Sequence, residues 1–196
     1  MKKRTADDMH RLNVEQYHDA EKIPLTVVLD NVRSQHNIGA VFRTADAFRV
    51  EQVVLCGICC CPPNTEIHKT ALGAEESVSW SYYPSTMEAL HVLREQGYTL
   101  LAVEQVHDSI ALTDIAAHCP TDAGQHYALI LGHEVFGVSQ DVVDAADACI
   151  EIPQFGTKHS LNVSVAAGIA MYAFRQLLTT PQAHPLLTFR RMPSAD

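Results

Sequence analysis

The last third of the chain contains two short apolar segments, each followed by a polar loop that contains glycine. The first segment, residues 127–131, precedes the loop 132–137, and the second, residues 148–152, precedes the loop 153–162. Apolar runs of this length are typical of strands that are buried on both faces of a parallel sheet. Because parallel strands end at the same sheet edge, we expect the two loops side by side, where open α/β sheets bind ligands. The second loop leads into a long helix rich in small residues, and its start offers free backbone N–H groups.

Strand-like and helical segments alternate through the rest of the chain. Strands are predicted at residues 25–29, 52–56, 77–82 and 98–103, helices at 38–48 and 85–96, and at most a short helix at 112–118. This alternation predicts an α/β fold with a mostly parallel sheet and helices on both faces. We find no internal repeat and therefore expect one domain at residues 23–178. A helix or arm at 1–22 precedes it, and an irregular tail at 179–196 follows it.

The bulk composition restricts the possible partners. No apolar run approaches the ~20 residues of a membrane span. The basic N-terminus is not followed by a secretory apolar segment. We therefore expect no membrane partner and a cytoplasmic protein whose six cysteines are reduced. The formal net charge of −9 argues against a general polyanion binder, so any nucleic acid would have to meet a local basic patch.

Several common catalytic motifs are absent. The sequence contains no G-x-G, no phosphate-binding P-loop and no G-x-S-x-G elbow, and Gly137 stands where a zinc-binding H-E-x-x-H motif would need its second histidine. The cysteine cluster at 56–61 suggests a metal site, but neighbouring cysteines cannot all converge on one ion. We interpret these cysteines as small apolar residues and expect no metal site. A metal hydrolase that uses His133, Glu134 and the cysteine cluster remains an alternative function.

Arg43 lies on a predicted helix that is otherwise apolar, and we expect Asn37 to be the N-cap of that helix. A buried arginine needs a charged partner. One interpretation is therefore a structural ion pair with Asp46 or Asp30, and the other is a functional guanidinium at a ligand site.

Three segments together resemble the conserved motifs of a known family. Residues 29–48 (LDNVRSQHNIGAVFRTADAF), 129–138 (LILGHEVFGV) and 150–166 occur in the order of the three motifs of the SpoU/TrmH family of RNA ribose 2′-O-methyltransferases, within the SPOUT superfamily. The resemblance implies a deep trefoil knot in the C-terminal part of the α/β domain. It also implies S-adenosylmethionine as methyl donor. It further implies a homodimer in which the first and last helices pack against the partner. Each catalytic pocket is then formed by residues of both chains.

The resemblance assigns roles to individual residues. It implies cofactor contacts through Gly132, Ile152 and Leu161, with Glu104 as a further candidate, and catalytic roles for Asn37, Arg43, Glu134, Ser160 and Asn162. Purely structural interpretations remain open for some of them. The glycines can serve turn geometry alone, and Ser160 and Asn162 can serve as helix caps.

Arg43 corresponds to the proposed base of the family, although a free guanidinium has a pKa above ~12. It either loses its proton transiently beside RNA phosphate, or holds the phosphate and the 2′-oxygen while another group takes the proton.

RNA is the partner that the resemblance implies. A local patch is predicted from basic residues near the motifs: Arg33, Arg43, Arg49, Lys69 and Lys158. The sequence shows no separate RNA-binding domain, which favours transfer RNA over ribosomal RNA as substrate. Two further functions remain open: a methyltransferase that modifies a base nitrogen, and a non-catalytic RNA-binding or assembly protein on the same fold.

Overall fold

The seven strands found among the described residues form one parallel sheet. The computed structural model describes residues 11–122 and 124–179, together with Lys3 and Asp8. The strands are β1 (Ile23–Asp30), β2 (Val50–Cys56), β3 (Ser79–Tyr83), β4 (Tyr98–Val103), β5 (Ile110–Ala111), β6 (His126–Leu131) and β7 (Ala148–Glu151). Their order across the sheet is β3-β2-β1-β6-β4-β7-β5. The prediction of a parallel α/β sheet is confirmed, and every strand pair is parallel.

Helices cover both faces of this sheet, as predicted. They are α1 (Val14–Asp19), α2 (Gln35–Phe48), α3 (Thr65–Ala71), α4 (Ala74–Ser77), α5 (Thr86–Glu95), α6 (Ile115–His118), α7 (Gln140–Ala145) and α8 (Val163–Leu178), with a 3-10 turn at Leu112–Asp114. The alternation of side chains along β1 separates two cores. Leu25, Val27 and Leu29 pack with α2 and α8 on one face, whereas Val28 packs with α5 and α7 on the other.

Helix α2 follows from its sequence pattern, but it begins earlier than expected. Its buried residues Ile38, Val41, Phe42 and Ala45 recur at helical spacing. The N-cap is Ser34, whose hydroxyl accepts a hydrogen bond from the Asn37 N–H at 3.3 Å. The prediction that Asn37 is the N-cap is therefore wrong: Asn37 lies in the first turn, where its side chain is free to face the carboxyl edge of the sheet.

The order of the strands also corrects the predicted placement of the two C-terminal loops. Strand β4 lies between β6 and β7. The loops that follow β6 and β7 are therefore separated by the segment after β4, which begins at Glu104. Residues 69–74 were predicted as a short polar loop or helix end, and α3 ends there at Ala71. The start of α3, the helix α4 and the two-residue strand β5 were not predicted, because segments this short carry too little periodicity.

Near the amino end, α1 is closed by a capping box between Asn13 and Gln16 and buries Tyr17. The predicted tail at 179–196 lies outside the described residues apart from Thr179, as does most of residues 1–10. The limits of the domain thus stay a prediction. Among the described residues, no helix is long and apolar enough to cross a membrane.

Candidate active site

A cavity of about 450 Å³ opens at the carboxyl ends of β4, β6 and β7. Its volume lies in the range of small-molecule sites, and its position is the one expected for ligands of parallel α/β sheets. The predicted site residues that line it are Glu104, Gly132, Glu134, Ile152, Ser160 and Leu161. The structure therefore brings together all four predicted cofactor residues and two of the five predicted catalytic residues.

The loop after β6 is closed on itself and leaves no room for a side chain at its start. His133 and Gly137 exchange two backbone hydrogen bonds, of 3.0 and 2.8 Å. A Cβ at Gly132 would lie 2.1–2.2 Å from backbone atoms of Gly137 and Val138. Gly137 has φ +70°, a conformation that favours glycine. Turn geometry thus accounts for Gly137, whereas close backbone approach at the cavity accounts for Gly132.

Glu104 holds this loop in place from the end of β4. One oxygen of its carboxylate accepts a hydrogen bond from the Val138 N–H at 3.0 Å, and the other accepts from the Gln105 N–H at 2.8 Å. The neighbouring Gln105 donates its side-chain amide to the His159 carbonyl at 2.9 Å, which fixes the loop after β7. Gln105 was not predicted as a site residue, because nothing in the sequence indicated that this pair of residues connects both loops.

Glu134 accepts three hydrogen bonds at the amino end of α2. The backbone N–H groups of Arg33 and Ser34 donate at 3.1 and 2.9 Å, and the Asn37 amide donates at 3.0 Å. Burial alone would raise the pKa of Glu134, but these hydrogen bonds stabilise the carboxylate and together lower its pKa below the ordinary value. The side chain is therefore ionised at neutral pH and faces the positive end of the helix dipole.

A chain of amides extends this contact to the start of α8. Because the Asn37 NH₂ donates to Glu134, its carbonyl oxygen faces away and accepts from the Asn162 NH₂ at 3.2 Å. The Asn162 oxygen then accepts from the Ser164 N–H at 2.9 Å and from the Ser164 hydroxyl at 2.6 Å. The relay Glu134–Asn37–Asn162 connects all three motif segments, and each amide orientation follows from its neighbour.

The other predicted catalytic residues differ in their contacts. Asn162 is the N-cap of α8, so its structural interpretation is confirmed, while the same side chain also contacts Asn37. Ser160 is exposed at the cavity and is not a cap. Arg43 is exposed on α2, outside the cavity lining.

The interpretation of Arg43 as one half of a structural ion pair with Asp46 or Asp30 is wrong. Within the part of the chain that the structure describes, Arg43 forms no ion pair. Asp46 accepts from the Ser77 hydroxyl, and buried Asp30 accepts from Thr86 and Ser139. Asp30 thereby connects the end of β1 to the starts of α5 and α7, a structural role that was not predicted.

The basic residues do not form one continuous patch in the chain. Arg33 and Lys158 are exposed on loops beside the cavity. Lys69 lies on α3 and donates to Glu66 at 2.6 Å. Arg49 lies at the opposite end of α2 from Asn37, and a helix of this length spans ~20 Å. Arg49 is therefore too far away to join Arg33 in one patch.

The cysteine cluster is separate from the cavity. Cys56 and Cys59 are buried, and burial raises the pKa of Cys56 to about 12 and that of Cys59 to about 11. These protonated thiols behave as small core residues, as interpreted. None of the clustered cysteines lines the cavity, and His133 accepts a hydrogen bond from the Val135 N–H. The geometry gives no support to a metal hydrolase built on these residues.

Two exposed aromatic side chains near the cavity were not predicted. Phe136, in the loop after β6, is 82% exposed and lines the cavity, and its ring lies 4.9 Å from that of His133. Phe155, in the loop after β7, is 97% exposed. The only sequence feature that could have indicated them is that each phenylalanine lies in a mostly polar loop.

Comparisons with known proteins agree with the sequence resemblance. Residues 24–172 match the SpoU rRNA Methylase family. The tRNA (guanosine(18)-2′-O)-methyltransferase of Thermus thermophilus is 32% identical over 179 residues, which cover 91% of this chain and 87% of that protein. The 23S rRNA (guanosine-2′-O-)-methyltransferase RlmB of Neisseria meningitidis serogroup B is 32% identical over 78% of this chain, but the match spans only 58% of that relative. The crystal structure of an AdoMet-bound rRNA methyltransferase from Sinorhizobium meliloti is similar with a TM-score of 0.72 at 25% identity, covering 84% of this chain and 61% of that one.

Proposed function

The chain belongs to the SpoU methylase family, and on this premise we propose how its residues serve methyl transfer from S-adenosylmethionine to a ribose 2′-hydroxyl of RNA. The protein is an RNA 2′-O-methyltransferase that uses this cofactor. The observation that carries the proposed site is the Glu134–Asn37–Asn162 relay, which joins the three motif segments beside one cavity. The base-methylating and non-catalytic functions receive no support from the relatives, whose names specify 2′-O-methylation.

The cavity suits an adenosine-bearing cofactor. Gly132 lines the cavity without a side chain, and Ile152 and Leu161 line it with apolar side chains. We assign cofactor contacts to Gly132, Ile152 and Leu161. Glu104 positions the loop through its bonds to Val138 and Gln105. S-adenosylmethionine supplies a methyl group on a sulfonium, which is already an activated leaving group, so the transfer itself requires no metal.

The remaining chemistry requires alignment of the 2′-oxygen and removal of its proton. We propose that Glu134, Asn37 and Asn162 are positioning residues, since their polar atoms are already engaged with one another and with the start of α2. Glu134 is a poor general base because a carboxylate whose pKa is lowered has a weak affinity for a proton. Ser160 is exposed at the cavity and is available to contact RNA. Fixed positioning of this kind can supply up to ~7–11 kcal/mol of the barrier.

Arg43 is proposed to act on the 2′-hydroxyl, as base or as the group that holds phosphate and oxygen. Arg43 lies six residues beyond Asn37, about 9 Å along α2, and does not line the cavity of its own chain. This placement supports a site completed by a second copy of the chain.

Replacement of Arg43 distinguishes the two roles. In Arg43→Ala, cofactor binding should persist while single-turnover methylation falls by about 10²–10⁴-fold. In Arg43→Lys, the side chain has an ordinary pKa of ~10.4. A base role then predicts a rate that rises steeply with pH, whereas a positioning role predicts a loss that is independent of pH. Unchanged methylation in Arg43→Ala would discard both roles.

We propose that the second copy packs against α8, as the family resemblance implies. Val165, Ile169 and Tyr172, here called the α8 stripe, are exposed at spacings of four and three residues and so share one helix face. The ring of Tyr172 lies 5.7 Å from that of Phe48 on α2, which extends the apolar surface to the helix that carries Arg43. A homodimer through this surface would bury the stripe and bring Arg43 towards a partner.

We also propose that the C-terminal part is knotted. Strand β7 lies beyond β4, yet the following helix α8 packs on α2, β1 and β6. The loop after β7 must therefore return across the carboxyl ends of β4 and β6, beside the closed loop 132–138. Single-molecule unfolding tests this proposal: pulling from the termini should leave an extended chain shorter than its full contour, and full extension would exclude a knot.

Transfer RNA is our preferred substrate and the cytoplasm our preferred location. The match to the tRNA enzyme covers 91% of this chain and 87% of that enzyme, whereas the match to the rRNA enzyme covers 58% of that relative. The six free cysteines suit a reducing compartment.

Incubation with labelled S-adenosylmethionine and total RNA, followed by nucleoside analysis, should give a 2′-O-methylated nucleoside in the tRNA fraction. Label confined to rRNA would overturn the tRNA preference, and a base-methylated nucleoside would overturn ribose methylation.

A further inference from the structure

A second groove, of about 590 Å³, lies beside edge strand β3 and shares no lining residue with the first cavity. It is lined by Pro62, Pro63, Asn64, Thr65, His68, Glu75, Glu76 and Trp80. Its walls come from the loop before α3, from α3 and α4, and from β3. Nothing in the methyl-transfer reaction uses these residues.

Three metal-ligating side chains converge in this groove. Helix α3 ends at Ala71, and Leu72 and Gly73, with φ values of 54° and 93°, turn the chain into α4. The turn brings His68 next to Glu75, with Nδ1 and Oε1 2.5 Å apart. One ligand atom from each of His68, Glu75 and Glu76 lies within 4.8 Å of the others, and no other such group of three occurs among the residues that the structure describes.

The buried carboxylate of Glu75 is incompletely satisfied. Its side chain is only 8% exposed, and its Oε2 is buried without a hydrogen-bond partner. A buried carboxylate oxygen that has lost its water and gained no partner is costly. The single contact with His68 leaves this cost in place, whereas a cation between the three side chains would offset it.

We propose that His68, Glu75 and Glu76 bind one divalent transition-metal ion. An imidazole with two carboxylates is a ligand set that suits zinc, cobalt and related ions, and it leaves coordination positions for water. The metal ion would take the place of the direct contact between His68 and Glu75. It would also tie α3 to α4, and α3 in turn contacts α2, because the Thr70 hydroxyl donates to the His36 carbonyl at 2.9 Å. The site goes beyond the proposed methyl transfer and does not depend on it.

Cobalt titration of the full chain tests this site directly. Trp80 lines the groove and is the single tryptophan of the sequence, so paramagnetic Co²⁺ bound there should quench the intrinsic tryptophan fluorescence. Saturation is expected at one ion per chain. The visible spectrum should lack the intense thiolate-to-cobalt bands that binding by any of the six cysteines would produce. Zn²⁺ should compete and restore the fluorescence.

Ligand variants provide the specificity control. His68→Gln, Glu75→Gln and Glu76→Gln preserve side-chain bulk, and each should weaken Co²⁺ binding by about 10- to 100-fold or more. His91→Gln is the matched control because His91 forms a 3.3 Å pair with Glu95 but has no third ligand. Its affinity should equal that of the unmodified chain. His68 and Glu76 are both at exposed positions, so their variants should fold. Absence of saturable quenching, or an affinity in both His68→Gln and Glu76→Gln equal to that of the unmodified chain, would show that His68 and Glu75 form only a hydrogen-bonded pair.

Discussion

At the scale of single residues, Glu134 holds the site together through its charge. Its carboxylate accepts from two backbone N–H groups that α2 cannot satisfy by itself, and from the Asn37 amide that begins the relay to α8. In glutamine, an NH₂ group takes the place of one carboxylate oxygen, so it faces N–H donors and cannot accept their hydrogen bonds. We expect Glu134→Gln to lose about 1–3 kcal/mol of unfolding free energy, measured by urea denaturation. Methylation should fall with it, because Asn37 loses its fixed orientation.

Because the pKa of Glu134 is lowered, the difference in unfolding free energy between the unmodified chain and Glu134→Gln should depend on pH. A carboxyl group whose pKa is lower in the folded state contributes stability above its unfolded pKa of ~4.3, and loses it as the pH falls through the folded value. The stability gap between the two proteins should therefore be constant near neutral pH and should close below about pH 4. Glu95→Gln, at an exposed glutamate on α5, should change stability by less than ~0.5 kcal/mol. A gap that widens in acid would contradict the assignment.

The lysines near the site should differ in their contribution to RNA binding. Lys69 donates to Glu66, whose pKa is lowered by this bond, so RNA must compete with an existing partner. Lys158 is exposed beside the cavity and forms no ion pair within the described residues. In Lys158→Ala, the slope of log K against log salt concentration should decrease by about 0.7–0.9, the change expected for one lost phosphate contact. Lys69→Ala should change it less, and the reverse order would exclude Lys158 from the RNA surface.

At the scale of elements, the closed loop after β6 depends on the absence of a side chain at Gly132. In Gly132→Ala, the new Cβ would meet backbone atoms at 2.1–2.2 Å, so the loop that lines the cavity must shift. We expect a loss of S-adenosylmethionine affinity of tenfold or more by calorimetry, roughly 1.4 kcal/mol. Gly156→Ala, in the loop after β7, is the control because a Cβ there meets nothing within 4 Å. Equal cofactor affinity in both variants would remove Gly132 from the cofactor site.

The sequence predicted the elements with strong periodicity and missed those without it. The strands at 25–29 and 127–131 were recognisable because burial on both faces of a sheet leaves continuous apolar runs. The long last helix was recognisable as a long run rich in small residues after a polar loop. Helices α3 and α4 are too short to show a hydrophobic period, so the meeting of His68 with Glu75 and Glu76 was not foreseen. Strand order depends on long-range packing that local patterns do not encode, and this is why the insertion of β4 between β6 and β7 was not predicted.

At the candidate site, the resemblance identified the residues, but the sequence did not predict which of them contact one another. The resemblance selected Asn37, Glu134 and Asn162, and the structure brings them into one relay. Their partners could not be read from the sequence, because Glu134 is almost a hundred positions from Asn37. The bonds of Glu104 to a loop more than thirty residues away were hidden for the same reason.

At the scale of the whole molecule, charge and exposed apolar surface point to different partners. The net charge of −9 means that two chains together would repel RNA in general, so binding must rely on the loops around the cavity. The α8 stripe, in contrast, is an uncharged face on a helix whose other side is buried in the core. Contiguous exposed apolar surface of this kind marks protein interaction sites. A dimer through this face would hide the stripe and leave the cavity loops free for RNA.

A charge placed in the α8 stripe tests the dimer and the sharing of the active site together. In Ile169→Asp, the buried carboxylate would have no partner at the interface, so the protein should become monomeric by light scattering during size-exclusion chromatography. Met87→Asp is the matched control, because Met87 on α5 has an exposure of 38%, compared with 39% for Ile169, but lies outside the stripe. The monomer should retain most of its S-adenosylmethionine affinity, since the cavity lining lies within one chain. Its methylation should nevertheless be lost, because Arg43 no longer reaches a cavity, and a fully active monomer would show that one chain completes the site alone.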